Sequence, residues 1–168
     1  MDLRRFEVVK RLIMPVKFKR FYRTHRGRKF RLLDIGCGNH SATLTKRYFP
    51  NCIYYGVDKD NYNNDDQDFA VMEKFFRIDL EAGGLDSLPD DFFDVIMCSH
   101  VIEHLRNGLE VVGKLKSKLA RGGKIYIEFP SLASLKLPSM SGTLHFCDDP
   151  THVRLYSVLD VCNILLDG

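Results

Sequence analysis

From residue 30 onward, short apolar runs rich in β-branched and aromatic residues alternate with segments of helical periodicity. We interpret five runs as strands, over 30–35, 52–58, 74–80, 92–99 and 124–130. Helices are predicted over about 41–49 and 107–120, with a last helix from a Ser157 cap to about 166. Residues 61–68, rich in Asn and Asp, predict a polar loop. Strands that are apolar on both faces and alternate with helices favour a doubly wound, mostly parallel α/β sheet of about five strands.

Length and composition bound the class of protein. The chain has 168 residues, of which 45% are hydrophobic, and this suits one globular domain. Its five cysteines are scattered without a CxxC pair, which argues against a disulfide framework or zinc finger and favours a reducing compartment. Cys52, Cys98 and Cys162 are predicted to pack in the core. No apolar run approaches the ~20 residues of a membrane span, and charges interrupt the N-terminus where a signal peptide needs an apolar core. We therefore expect a cytoplasmic protein.

Positive charge is concentrated at the N-terminus. The first 31 residues carry twelve Lys or Arg and two acidic residues, whereas the remaining 137 carry thirteen and twenty. We divide the chain into a basic arm or helix, 1–29, and a domain, 30–168. Apolar residues recur among these charges at near-helical spacing, at Leu3, Phe6, Val9, Leu12 and Ile13. A solvated basic helix would explain the arm, and so would contact with a polyanion. We favour an anionic membrane surface or lipid-linked substrate over RNA, so we predict peripheral attachment to a membrane.

Polar and acidic residues follow four of the predicted strands. The first ends in Asp34-Ile35-Gly36-Cys37-Gly38, where two glycines let the backbone approach a ligand and the carboxylate suits a cationic one. Asp58 ends the second strand and could accept hydrogen bonds from ribose hydroxyls, although a helix cap is an alternative role. Asp79 ends the third strand, and Ser99-His100 the fourth. In a doubly wound sheet these ends meet at one crevice.

These motifs carry a resemblance to a known family. LLDIGCGN, YYGVD, RIDLE, FDVIMCSHVIEHL and LARGGKIYIEFPS follow in this order between about residues 30 and 131. They resemble the successive motifs of class I S-adenosylmethionine-dependent methyltransferases. The resemblance implies a Rossmann-like fold, S-adenosylmethionine as cofactor and S-adenosylhomocysteine as product. Members usually have two further strands after the last helix, so we expect either a truncated chain or a sheet lacking the usual C-terminal hairpin.

The same resemblance implies a set of cofactor contacts. They are Asp34, Gly36, Cys37, Gly38, Asp58, Lys59, Asp79, Leu80, Ser99 and His100. Asp34 would lie near the sulfonium and amino end, Asp58 would hold the ribose, and Asp79 would bind the adenine. His40 stands where many members have a third glycine, so we expect a reshaped entrance to the following helix.

Three histidines are candidates for a general base that deprotonates the methyl acceptor, since the imidazole pKa lies near neutrality. If the turn after the fourth strand is helical, His100 and His104 share one face with Glu103 and point toward the mouth of the site. In the plainer interpretation Glu103 and His104 brace the following helix. The segment is also similar to one in ubiquinone-pathway O-methyltransferases, some of which use a metal there, but His100 replaces the first acidic residue of that pattern and we expect no metal. His152 is the third candidate, in a long loop where substrate contacts are expected.

The expected activity is methyl transfer to oxygen or nitrogen of a small-molecule, saccharide or lipid-linked acceptor. His152 lies in DPTHVR (149–154), which resembles a segment of methyltransferases associated with bacterial polysaccharide and glycolipid assembly, and this favours a saccharide or lipid-linked saccharide. An RNA methyltransferase and a non-catalytic methyltransferase-like binding module are the alternatives. A nicotinamide-dependent oxidoreductase is disfavoured because Ser41 occupies the third position of the required GxGxxG turn.

Overall fold

The computed structural model describes residues 12–140 and 145–166 of the chain. The strands in these residues are β1 (Phe30–Ile35), β2 (Cys52–Asp58), β3 (Lys74–Arg77), β4 (Phe93–Ser99) and β5 (Leu119–Glu128). The α-helices are α1 (Val16–His25), α2 (Ser41–Tyr48), α3 (Asp66–Val71), α4 (Gly108–Lys118) and α5 (Val158–Leu166). Short 3-10 helices occur at Leu85–Ser87, Ile102–His104, Leu132–Lys136 and Phe146–Asp148.

The five strands form one sheet in the order β3-β2-β1-β4-β5, and every neighbouring pair is parallel. The chain moves outward from β1 to β3, then returns to the other side of β1 to form β4 and β5. The order therefore reverses beside β1, and the carboxyl ends of β1, β2 and β4 lie side by side at this switch point. The predicted doubly wound, Rossmann-like α/β sheet is confirmed.

Alternate residues of the central strands face two separate cores, as the two-residue period of a strand requires. Leu33 and Ile96 belong to the core that packs against α4 and α5. Leu32 and Tyr54 belong to the core on the other face, which α1 and α2 cover. Both faces of the sheet are therefore buried, which explains why the strands have almost no polar alternation.

Several predicted elements need correction. The predicted loop over 61–68 contains the start of α3, because Asp65 caps that helix by accepting hydrogen bonds from the backbone N–H groups of Gln67 and Asp68. Strand β3 ends at Arg77, three residues earlier than predicted. Strand β5 begins at Leu119, directly after α4, and a register shift opposite Phe93–Val95 accommodates the extra residues. Cys52 and Cys98 are buried as predicted, but Cys162 is exposed on α5.

Helix α1 packs on the sheet through Phe18, Phe21 and Tyr22, which are buried in the core it shares with α2. Lys19, Arg20 and Arg23 of this helix are exposed. Residues 1–11 of the predicted basic arm, with most of its apolar pattern, lie outside the described residues. None of the helices in the described ranges is both long and apolar enough to cross a membrane.

Candidate active site

A cavity of about 870 Å³ opens at the carboxyl ends of the strands. Its wall includes most of the residues that the sequence proposed as cofactor contacts, together with His104: Gly36, Gly38, Asp58, Lys59, Asp79, Leu80, Ser99, His100 and His104. Its position is the one that the switch point of a doubly wound sheet predicts for a ligand. Asp34, Cys37 and His152 are not part of this wall.

The turn after β1 requires glycine because of contacts within the protein. Gly36 has a φ of 72°, and a Cβ there would come within 2.4 Å of Val101 Cγ2. A Cβ on Gly38 would come within 2.7 Å of the Tyr62 carbonyl oxygen. Without side chains, both residues expose backbone to the cavity.

Asp34 lies beneath the cavity, in the core. It is only 1% exposed, and its Oδ2 accepts hydrogen bonds from the Ser41 hydroxyl and the Tyr54 hydroxyl, both at 2.6 Å. Burial and the neighbouring carboxylate hold the pKa of the Tyr54 hydroxyl well above its usual value, so Tyr54 stays protonated and donates. Asp34 thus joins β1, β2 and the start of α2, a role that its place before a glycine turn did not reveal.

Asp58 ends β2 and Asp79 follows the neighbouring strand β3, and both line the cavity. Burial raises the pKa of the Asp58 carboxyl, while backbone N–H groups nearby lower it. Of these groups, the Lys59 N–H donates to Asp58 Oδ1 at 2.8 Å. Asp79 Oδ1 accepts the N–H of Glu81 at 2.9 Å. A carboxylate offers about four lone-pair sites, so each can also accept hydrogen bonds from a ligand.

His100 follows β4 in a left-handed conformation, with a φ of 55°. Its Nδ1 lies 3.1 Å from Oε1 of the buried Glu103, and this hydrogen bond raises the pKa of the His100 imidazole. Ser99 donates to Glu128 Oε2 at 2.9 Å. The turn after β4 is helical only from Ile102, where a 3-10 helix begins, so His100 and His104 do not share one helical face, and their side chains are held by different partners.

His104 and His152 meet beside the cavity although 47 residues separate them in the chain. Their ring centroids are 4.8 Å apart. Tyr156 anchors the segment that carries His152, since its buried hydroxyl donates to the Leu105 carbonyl and accepts the Gly108 N–H. Thr151 and Asp149 of the same segment line the cavity.

Cys37 and His40, which also belong to the glycine turn, do not line the cavity. The Cys37 side chain is fully buried. His40 begins α2 with a φ of 57°, a conformation that glycine adopts without strain. Its Nδ1 lies 2.6 Å from Asp68 Oδ2. At His40 the helix entrance is therefore held by a hydrogen bond to Asp68 of α3.

Comparison with known proteins identifies the family. A family described as Methyltransferase domain matches residues 3–167. The chain belongs to this methyltransferase family. It is 29% identical over 128 residues to the uncharacterized methyltransferase YcgJ of Bacillus subtilis (strain 168), a match that covers 74% of this chain and 50% of the relative. The chain therefore spans about half the length of the curated relative that it matches.

Solved structures agree with this family. A SAM-dependent methyltransferase from Archaeoglobus fulgidus has a TM-score of 0.62 and 27% identity, covering 95% of this chain and 66% of the other. The crystal structure of YcgJ has a TM-score of 0.59 and 22% identity, covering 88% of this chain and 64% of the other. The predicted S-adenosylmethionine-dependent methyltransferase class is confirmed at the level of the family.

The cavity fits S-adenosylmethionine in its chemistry. Ile78, Leu80 and Leu105 form an apolar part of the wall that suits an adenine ring. Asp58 and Asp79 can accept hydrogen bonds from ribose hydroxyls and an amino group. The cavity volume also lies within the range of typical ligand sites.

Proposed function

We propose that this methyltransferase domain transfers a methyl group from S-adenosylmethionine to an oxygen or nitrogen of an acceptor that enters beside His100 and His104. The observation that carries this proposal is that one cavity joins strand-end carboxylates to a histidine with a buried carboxylate partner. Asp58 would hold the ribose of the cofactor, and Asp79 with Leu80 its adenine. The cofactor supplies a reactive methyl group on a sulfonium, so the domain contributes mainly alignment and proton removal.

His100 is our proposed general base. With its Nδ1–H donated to Glu103, the lone pair of the neutral ring lies on Nε2, which can take the acceptor's proton. Glu103 fixes the tautomer and the direction of the ring, as a carboxylate partner of a catalytic histidine commonly does. His104, which also lines the cavity, and His152 behind it lie on the acceptor side.

We further propose a hydroxyl-rich acceptor, a saccharide or lipid-linked saccharide. The wall beside His104 carries the polar side chains of Thr151, 2.9 Å from the His104 ring, and of Asp149, which accepts the Thr151 hydroxyl. Such groups can accept and donate hydrogen bonds to sugar hydroxyls. This support is added to the resemblance of DPTHVR, the segment that contributes Asp149 and Thr151.

The test begins with calorimetry of the full chain with S-adenosylmethionine and with a nicotinamide dinucleotide as a control. Labelled methyl transfer to lipid-linked saccharides, small hydroxylated acceptors and RNA follows. We expect binding of the first nucleoside only and labelling of a saccharide acceptor, lost in His100→Ala with cofactor affinity retained. Labelling of RNA alone would replace the acceptor proposal, and binding without turnover on any acceptor would favour a non-catalytic module.

We also propose that the protein works in the cytoplasm at an anionic membrane surface. Leu12, Ile13 and Val16 are exposed apolar residues, and they precede the exposed basic residues of α1. Apolar side chains beside Lys and Arg are typical of segments that lie on membranes. Flotation with vesicles of anionic and of neutral lipids tests this. Binding should be confined to anionic vesicles and lost in Arg20→Glu/Arg23→Glu but kept in the control Arg121→Glu; equal flotation of all three proteins would refute it.

A further inference from the structure

Three side chains with metal-ligating atoms converge where the 3-10 helix Ile102–His104 meets the segment after Pro150. Glu103, His104 and His152 each offer one ligand atom, and these atoms all lie within 4.8 Å of one another. Ligand atoms bound to one cation at about 2.0–2.2 Å lie roughly 3.3–3.6 Å apart, so small side-chain rotations would bring all three within coordination distance of a single cation.

Hydrogen bonds orient both imidazoles for coordination. His152 Nδ1 lies 2.7 Å from the Phe146 carbonyl oxygen, which can only accept, so Nδ1 carries the proton. His104 Nδ1 lies 3.2 Å from the Thr151 carbonyl oxygen and 2.9 Å from its hydroxyl. The Thr151 hydroxyl donates its own proton to Asp149 Oδ1. Both Thr151 oxygens therefore accept from His104, so Nδ1 of His104 carries the proton as well. Both rings therefore present an unprotonated Nε2, the arrangement that metal-binding histidines show.

Glu103 is an independent indication of a bound cation. The residue is 1% exposed, and its Oε2 is buried with no hydrogen-bond partner among the described residues. A buried carboxylate oxygen without a partner is costly, and such atoms usually mark a functional group or an ion. A cation between Glu103 and the two histidines would remove this cost.

A second set of possible ligands offers a contrast. His40, Asp65 and Asp68 also lie close together, but protein donors already occupy the Asp68 carboxylate. It accepts from the Thr43 hydroxyl at 2.8 Å and from the Asp65 N–H at 3.1 Å. This set is explained by the capping of α3, and it supplies a matched control.

We propose that Glu103, His104 and His152 bind one divalent transition-metal cation of the Zn²⁺ type. Two imidazoles and one carboxylate favour such ions over Mg²⁺, which prefers oxygen ligands. Asp149, with its Oδ2 3.8 Å from His152 Nε2, can contribute a further ligand directly or through water. His104 lines the cavity, so the cation would lie on the acceptor side. Its role there, which rests on the proposed function, is to bind an acceptor oxygen and lower the pKa of that group.

Titration calorimetry of the tag-free, reduced full chain with Zn²⁺ tests the proposal without any assay of activity. We expect one equivalent to bind, with much weaker binding of Mg²⁺. His152→Ala and Glu103→Gln should each weaken Zn²⁺ binding at least about 100-fold, the upper end of what is lost with a residue that only hydrogen-bonds to a metal ligand. If Glu103→Gln unfolds the protein, His104→Ala repeats the test, because the His104 ring is more exposed than the Glu103 side chain. His40→Asn should bind as the parent does.

Three results would overturn the proposal. The first is no stoichiometric binding of Zn²⁺, and the second is binding that survives His152→Ala but disappears in His40→Asn. The third is a thiolate charge-transfer band in the Co²⁺-loaded protein, because it would place the ion on cysteine. S-adenosylmethionine binding, measured in the same preparations, reports separately on the proposed function. Cofactor binding without Zn²⁺ binding would leave the methyltransferase proposal standing and remove only the metal site.

Discussion

Asp34→Ala should destabilise the fold far more than the loss of any other strand-end aspartate. The carboxylate accepts two hydrogen bonds inside the core, and a bond to a charged group contributes about 1.5–3 kcal/mol. Removing the buried charge also removes its desolvation cost. We therefore expect the free energy of unfolding to fall by about 3 kcal/mol, the lower bound for two such hydrogen bonds together. For a domain of this size that corresponds to a fall of roughly 6–12 °C in Tm. Asp79→Ala, at an exposed position, should cost about 1 kcal/mol or less.

A double-mutant cycle with Tyr54→Phe identifies the cause. Asp34→Ala leaves the fully buried Tyr54 hydroxyl without its acceptor, and the second substitution removes that orphaned group. Asp34→Ala/Tyr54→Phe should therefore lose clearly less than the sum of the single variants. Urea denaturation followed by circular dichroism supplies the four free energies. Additive losses, or a loss below about 1 kcal/mol for Asp34→Ala, would refute a structural role for this carboxylate.

Three further predictions concern the cavity and its supports. Asp58→Ala should weaken S-adenosylmethionine binding about 10–100-fold in calorimetry, the equivalent of one lost bond to a charged group, with the free energy of unfolding unchanged. Glu103→Gln should lower the pKa of His100, because the Glu103 hydrogen bond is the main cause that raises it; an NMR titration should show the ring losing its proton at lower pH. Tyr156→Phe removes a buried hydroxyl that both donates and accepts a hydrogen bond, and it should cost about 1–3 kcal/mol in urea denaturation.

Local pattern was enough to predict the framework. Apolar runs and helical periodicity placed all five strands, and right-handed crossover connections then allow few arrangements of the sheet. The glycine turn after β1 and the positions of Asp58 and Asp79 followed from this framework. Boundaries were less well predicted where short-range polar contacts decide them, as at the cap of α3, where an Asp-rich stretch begins a helix.

The sequence by itself determined the strands and the doubly wound class of the sheet, because hydrophobic periodicity acts locally along the chain. The order of the strands emerged only in the tertiary structure. Only the tertiary structure decided which aspartates reach the cavity. Asp34 and Asp58 both precede loops after strands, but Asp34 points into the core, where Ser41 and Tyr54 meet it. The pairing of His104 with His152 was likewise decided by tertiary contacts, since Tyr156 brings together segments that are distant in the chain.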